Sequence, residues 1–313
     1  MVQPSAQREK EIGLEVFFSD TAGSGGKLKA EAEDFIVDEV SKYPPEKPDG
    51  KVCVARVTAT NWETNRLVRH MSKALGISRN RIGFAGTKDK RAVTSQLMSF
   101  EAPVADVMAL RLSQVKVEGG YMAKRGMTIG DLVGNNFKIR VRDTTLKGEE
   151  LRSSLQGTES ALKELGGFPN FFGVQRFGTV RPVTHLVGRA IVKGDLEQAV
   201  LLYIGNPSEE EDEQSRAARE ALQRDRDYAA ALRDFPWKLT FERMVIGFLD
   251  RNPGDFAGAI SVLPTNLQMM FVHAYQSYLF NLILSERMRR GIPLNAPIVG
   301  DVVLPADKDG NPD

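Results

Sequence analysis

The sequence predicts an α+β protein: a core with a mixed or antiparallel sheet flanked by helices, followed by a mostly helical second unit. Three observations predict it. Runs of period-two alternation rich in β-branched residues lie in the first half of the chain. A capped segment with helical spacing falls between them. After about residue 182 the texture changes and helical segments dominate.

Taken in order, "LKAEAEDFIVDEV" (28–40) and "KVCVARVTA" (51–59) read as strands joined by the loop "KYPPEKPDG". Asn65 to Leu75 reads as a helix. Leu67, Val68, Met71 and Leu75 share one face, Thr64 or Asn61 can cap it, and Gly76 can end it. "RIGFA" (81–85) and "AVTSQLMSF" (92–100) are short strands flanking a turn. "NNFKIRVR" (135–142) alternates Phe137, Ile139 and Val141 with Lys138, Arg140 and Arg142, a strand with one cationic face. Residues 151–167 read as a helix closed by Gly166 and Gly167. "FPNFFGVQRFG" (168–178) reads as an aromatic, glycine-rich loop, and the acidic run 209–213 as an exposed first helical turn.

With 313 residues and 42% hydrophobic content, the chain is long enough for a substantial core. No apolar run reaches the roughly 18 residues a membrane span needs, and the N-terminal stretch has no apolar core of a signal peptide. The single cysteine, Cys53, precludes an intrachain disulfide and reads as a buried core thiol, which suits a reducing cytoplasm. The three histidines, His70, His185 and His273, lie far apart with no second ligand at helical spacing, so no metal site is expected. Net charge is only +1, but residues 51–100 carry 10 basic and 2 acidic side chains, a local footprint suited to phosphates. On charge alone, a solvated lysine-rich face is the plainer reading.

That basic block surrounds "GFAGTKDKRAVTSQ" (83–96), where one carboxylate, Asp89, stands among Lys88, Lys90 and Arg91. The phosphate-loop pattern is absent, which weighs against a nucleotide-dependent enzyme. A lone acid in a loop is ordinarily a turn former or half of an ion pair. Three adjacent cations would instead keep it ionised, fit for use as nucleophile or base, and could grip phosphates. On that reading, neutralising all three cations should lower the slope of log RNA affinity against log salt by roughly 2–3. Gln175 and Arg176, held between glycines beside Phe171, Phe172 and Phe177, suit an unstacked base, as do Asn135 and Phe137. The plainer alternatives are core packing for the phenylalanines and a turn for Asn135 and Asn136.

Six blocks in one order resemble the TruD-type pseudouridine synthase family: "DFIVDEV" with Lys29 upstream, "NWETNRLVRHM", "FAGTKDKRAVTSQ", "GDLVGNNFKIRVR", "NFFGVQRFG" and "AYQSYLFNLILSER". The resemblance implies an isomerase that converts uridine to pseudouridine in tRNA, at position 13 of the D arm, with Asp89 as catalyst and a flipped-out base. It implies no cofactor and no metal, and a cytoplasmic protein with tRNA as partner and no membrane. The oligomeric state is left open, with a monomer slightly favoured. Phe137 and Asn135 are the residues it puts at the base, with Phe35 and Lys29 close by; Lys88, Lys90, Arg91, Gln175 and Arg176 complete the expected RNA contacts. It further implies a catalytic core over 1–182 and an insertion domain over 183–313. The family's returning C-terminal segment, with its Gly-x-Tyr-Ala-Thr and Leu-Arg-Glu patterns, is absent from these residues. The core is therefore expected to be incomplete, with an open sheet edge or apolar face beside Asp89, and the helical unit to stop in a turn at "DKDGNPD". An RNA-binding protein of the same fold without catalysis is the alternative.

Overall fold

The computed structural model describes residues 3–4 and 7–305, so the turn expected over 307–313 lies outside the described residues. By packing the chain divides into two units: Gly23–Arg152, and Met1–Ala22 together with Ser153–Asp313. The boundary read from sequence texture near residue 182 falls inside the second. No helix among the described residues is long and apolar enough to cross a membrane.

The discontinuous unit begins with two short antiparallel strands, β1 (Gln3–Pro4) and β2 (Val16–Phe17), joined through α1 (Gln7–Glu11).

The continuous unit is built on a six-stranded mixed sheet. Its strands are β3 (Phe35–Ser41), β4 (Val52–Thr60), β5 (Ile82–Phe84), β6 (Val93–Phe100), β7 (Val115–Ala123) and β8 (Leu132–Ile139). The order is β7-β4-β6-β3-β8, with β5 also on β6; only β3 and β6 run parallel. On β4, Cys53, Val54, Ala55 and Val57 are all buried, as in a strand covered on both faces. Burial pushes the Cys53 thiol up to about 11, the inert core thiol its neighbours suggest.

One face of the sheet is covered by α2 (Thr64–Leu75), which lays Leu67, Val68 and Met71 on Ala55, Val57, Met98 and Phe100. Each such buried side chain is worth about 1.5–3 kcal/mol. Gly76 ends the helix in the left-handed conformation, as its position suggests. The cap is neither Thr64 nor Asn61 but Glu63, whose carboxylate accepts the N–H groups of Asn65 and Arg66. The Thr64 hydroxyl is used elsewhere.

Two segments depart from their expected form. Residues 28–34 are not strand, because the Asp34 carboxylate accepts the Glu31 N–H and closes a 3-10 turn at Ala32–Asp34. The strand expected over 135–142 ends at Ile139, and beyond it Arg142 donates to buried Asp34 at 2.7 Å while Arg140 lies 3.6 Å from the same carboxylate. The Arg142 guanidinium holds Asp34 below the usual carboxylate range. Helix α3 (Val104–Met108) and β7 carried no clear sequence signal. β8 is an outer strand of the sheet, with Val133, Phe137 and Ile139 exposed.

Helix α4 (Gly148–Leu165) ends at Gly166, φ 75°, and leads back into the discontinuous unit. There α5 (Thr184–Val192), α6 (Leu196–Ile204), α7 (Glu213–Asp225), α8 (Tyr228–Asp234), α9 (Thr240–Arg251), α10 (Phe256–Ser261) and α11 (Thr265–Arg289) follow. They enclose Ile204, Leu222, Phe235, Ile246, Leu249 and Phe271. Helices α5 and α11 meet at Gly188, where a Cβ would fall 2.0 Å from the Phe271 carbonyl oxygen. The acidic run is not simply a solvated turn. Asp212 caps α7, and buried Glu211 joins Glu242 in pairing Arg219, itself 2% exposed.

Candidate active site

Cross-strand partners in a sheet share a face, and so do alternate residues along a strand. The register therefore fixes which side chains can meet. Phe35, Val37 and Glu39 of β3 stand opposite Ile139, Phe137 and Asn135 of β8. On its other side Val37 is level with Thr94, which is level with Ala59 of β4. All lie on the face that α2 covers over β4 and β6. Beyond α2, over β3 and β8, the same face carries Phe35, Glu39, Asn135 and Phe137.

The connection from β5 to β6 crosses this region and brings Asp89 to it. Its start is fixed by Gly83, where a Cβ would come within 2.6 Å of both the Met127 carbonyl oxygen and Ser99 Oγ. That glycine serves close packing rather than loop freedom. Lys88, next to Asp89, is tied at both ends. Its N–H donates to Thr64 Oγ1 at 2.8 Å, and its ammonium lies 2.5 Å from Glu39 Oε2. The Lys88 side chain is 6% exposed and that of Glu39 is fully buried.

The Asp89 side chain remains 43% exposed, and its Oδ1 accepts a hydrogen bond from Lys29 Nζ at 2.8 Å. The same ammonium sits 3.9 Å from the centre of the Phe35 ring. Phe35 in turn meets Phe137 edge-to-face, centroids 5.9 Å apart. Lys29 is held with φ 54°, a backbone conformation few non-glycine residues adopt. Phe137 is 57% exposed, so an aromatic face is open to solvent within one ring of the Lys29–Asp89 pair. Asn135 is half-buried, and its Oδ1 has no hydrogen-bond partner among the described residues.

Five of the expected residues thus come together: Lys29, Phe35, Asp89, Asn135 and Phe137. Lys90 and Arg91 are exposed and make no ion pair among the described residues. Lys88, expected to face phosphate, points its charge into the protein. Gln175 and Arg176 belong to the other unit, in the 3-10 turn Val174–Arg176. There Arg176 donates to Ser277 Oγ at 3.0 Å and lies 5.5 Å from the Phe172 ring, while Gln175 is exposed and Phe177 is buried against His185.

Three residues of the site went unread in the sequence. Glu39 is a carboxylate on the inward phase of the Phe35–Val37 alternation, and an inward acid implies a buried cation. Thr64 reads in the sequence as a helix cap, an alternative to Asn61. Gln96, 3% exposed, has both amide atoms without a partner among the described residues and lies on the same face, opposite Val57. Unbroken burial along β6 concealed it.

The family described as "tRNA pseudouridine synthase D (TruD)" matches residues 11–313. A Methanosarcina acetivorans protein named "Probable tRNA pseudouridine synthase D" is 45% identical, over 97% of this chain and 69% of its own length. The Methanococcoides burtonii protein of the same name is 42% identical, covering 97% and 70%. A crystal structure of a TruD protein from Methanosarcina mazei superposes with a TM-score of 0.88 at 42% identity, over 99% of this chain and 71% of that one.

Proposed function

We propose, from the premise that this chain belongs to the TruD family of tRNA pseudouridine synthases, that it is an isomerase converting uridine to pseudouridine in tRNA with Asp89 as catalyst. The observation that carries the assignment of Asp89 is its exposed carboxylate, held by Lys29 at 2.8 Å beside the Phe35–Phe137 aromatic pair. The site combines an anion with an open ring for stacking, and the reaction needs both.

The reaction breaks the N1–C1′ bond, turns the base, and joins C5 to C1′; the hydrogen on C5 leaves as a proton and N1 gains one. Asp89 either attacks C1′ or removes the C2′ proton to give a glycal. Both routes need the carboxylate in place, and Lys29 holds it by a charge-assisted hydrogen bond at 2.8 Å. A uridine inside a helix cannot reach the carboxylate, so the base is flipped out. Phe137 supplies a face to stack it and the free Asn135 Oδ1 an acceptor for its N3–H. Lys90 and Arg91 are placed to contact flanking phosphates, with Gln175 and Arg176 as further RNA contacts. The target is position 13 of the D arm, after the family. In this proposal residues 1–182 form the catalytic core and 183–313 the insertion domain, and the protein works in the cytoplasm.

The test uses unmodified tRNA carrying tritium at uridine C5. Wild-type protein should release about one tritium per tRNA, and Asp89→Asn should release none while still binding tRNA. Tritium release by Asp89→Asn at more than about 1% of the normal rate would remove Asp89 from the chemistry, since losing an essential acid–base or nucleophilic group costs roughly 10²–10⁴-fold. Binding without release by the wild-type chain would favour an RNA-binding protein that does not catalyse.

A further inference from the structure

We infer that Glu39 and Lys88 form a buried positioning pair that sets the place of Asp89, and that Lys88 is not a phosphate ligand. The rate arm of this inference rests on the proposed role of Asp89; the binding arm does not.

One end of the pair is Glu39. Its carboxylate is fully buried on β3, with Oε1 hydrogen-bonded and Oε2 in ion-pair contact with Lys88 but without a hydrogen bond among the described residues. Oε1 accepts the Ser41 hydroxyl at 2.5 Å and the Leu97 N–H at 3.3 Å, and Oε2 lies 2.5 Å from the Lys88 ammonium. Desolvation makes such a pair a poor source of stability, and apolar residues of the same volume often do as well or better. What the pair supplies is direction. An apolar side chain could settle anywhere on this face, whereas the Lys88 ammonium must reach one carboxylate between β6 and β8.

The other end of Lys88 is equally constrained. Its N–H is held by Thr64 Oγ1 at 2.8 Å, and Thr64 is the 3%-exposed first residue of α2. That helix is itself pinned to the sheet through Leu67, Val68 and Met71. Lys88 is therefore strapped by its backbone to α2 and by its side chain to β3. Asp89 is the next residue, so its Cα has little freedom even though its side chain is exposed. The pairing also decides the electrostatics. The Lys88 charge is spent on Glu39, leaving Lys29 as the cation in contact with Asp89.

The test is the double variant Lys88→Met/Glu39→Gln, which removes both charges and leaves neither partner buried alone. Salt-dependent tRNA affinity and the single-turnover rate of tritium release at saturating tRNA are measured beside wild type. Misplacement by about 1 Å costs on the order of 100-fold in rate. We expect a fall of that order, with the affinity and the slope of log affinity against log salt unchanged. Thr64→Val, which deletes only the acceptor for the Lys88 N–H, should lower the rate about 10-fold, again at constant affinity. It decides the matter if the double variant does not fold. A slope reduced by about 0.7–0.9 in the double variant would make Lys88 a phosphate contact and overturn the inference. So would an unchanged rate in both variants, which would leave the pair a purely structural role. If wild type releases no tritium, the reading of Asp89 fails instead. The slope alone then judges Lys88: unchanged keeps it off the phosphates, and reduced by about 0.7–0.9 overturns it.

Discussion

Neutralising Lys90 and Arg91 tests how the basic block is divided between RNA and protein. The sequence presents three cations around Asp89 and suggests that removing them lowers the slope of log affinity against log salt by roughly 2–3. One of the three, Lys88, is 6% exposed and paired with Glu39. Two exposed charges remain. Each phosphate contact contributes a slope of about 0.9 on duplex and about 0.7 on single strand, so Lys90→Gln/Arg91→Gln should lower the slope by about 1.4–1.8. Between about 50 and about 200 mM salt, the wild type should then lose about 7–12-fold more affinity than the variant. Both residues are exposed without an ion pair among the described residues, so unfolding free energy should move by less than about 0.5 kcal/mol. Filter binding or fluorescence anisotropy with unmodified tRNA, across a salt series, measures the slope; denaturant unfolding checks the fold. An unchanged slope would move the phosphate contacts away from this loop and refute the reasoning.

Other expected outcomes follow from burial and pairing. Met71→Ala should cost about 2–5 kcal/mol in denaturant unfolding, because Met71 is 0% exposed between α2 and the sheet. Asp131, a buried capping carboxylate on the turn before β8, is held well below the usual carboxylate range by the bidentate Arg125 guanidinium. A depressed carboxylate stabilises the fold above its unfolded value and loses that effect as pH falls. Asp131→Asn should therefore cost roughly 1.5–3 kcal/mol at pH 7, and its deficit should shrink below about pH 4 in unfolding measured across pH. Burial pulls His185, stacked on Tyr278, down to about 4. The folded state thus resists its protonation, and stability should fall by up to about 1.4 kcal/mol per pH unit as pH drops from about 6.5 toward 4. His185→Phe keeps a ring there and should remove that slope; an identical pH profile would sink the assignment.

The chain's own order of residues determined the architecture class and much of the site. Alternation located β4 and β6, whose apolar residues must face cores on both sides. The spacing of Leu67, Val68 and Met71 located α2, and Gly76 its end. The resemblance of the chain's motifs to the TruD-type family also brought Asp89, Lys29, Phe35, Asn135 and Phe137 into one hypothesis. What the sequence could not decide is direction. Lys88, Lys90 and Arg91 are alike in type and nearly adjacent, yet one is buried and two are exposed. Only Glu39, 49 positions upstream of Lys88 and brought beneath it by the pairing of β3 with β6 and β8, makes the difference. In the same way Thr64 reads as a helix cap until Glu63 takes that role and frees its hydroxyl for Lys88. Local pattern records which groups a segment carries. Which of them spend their charge on the fold and which keep it for a ligand depends on partners that only strand register brings within hydrogen-bonding distance.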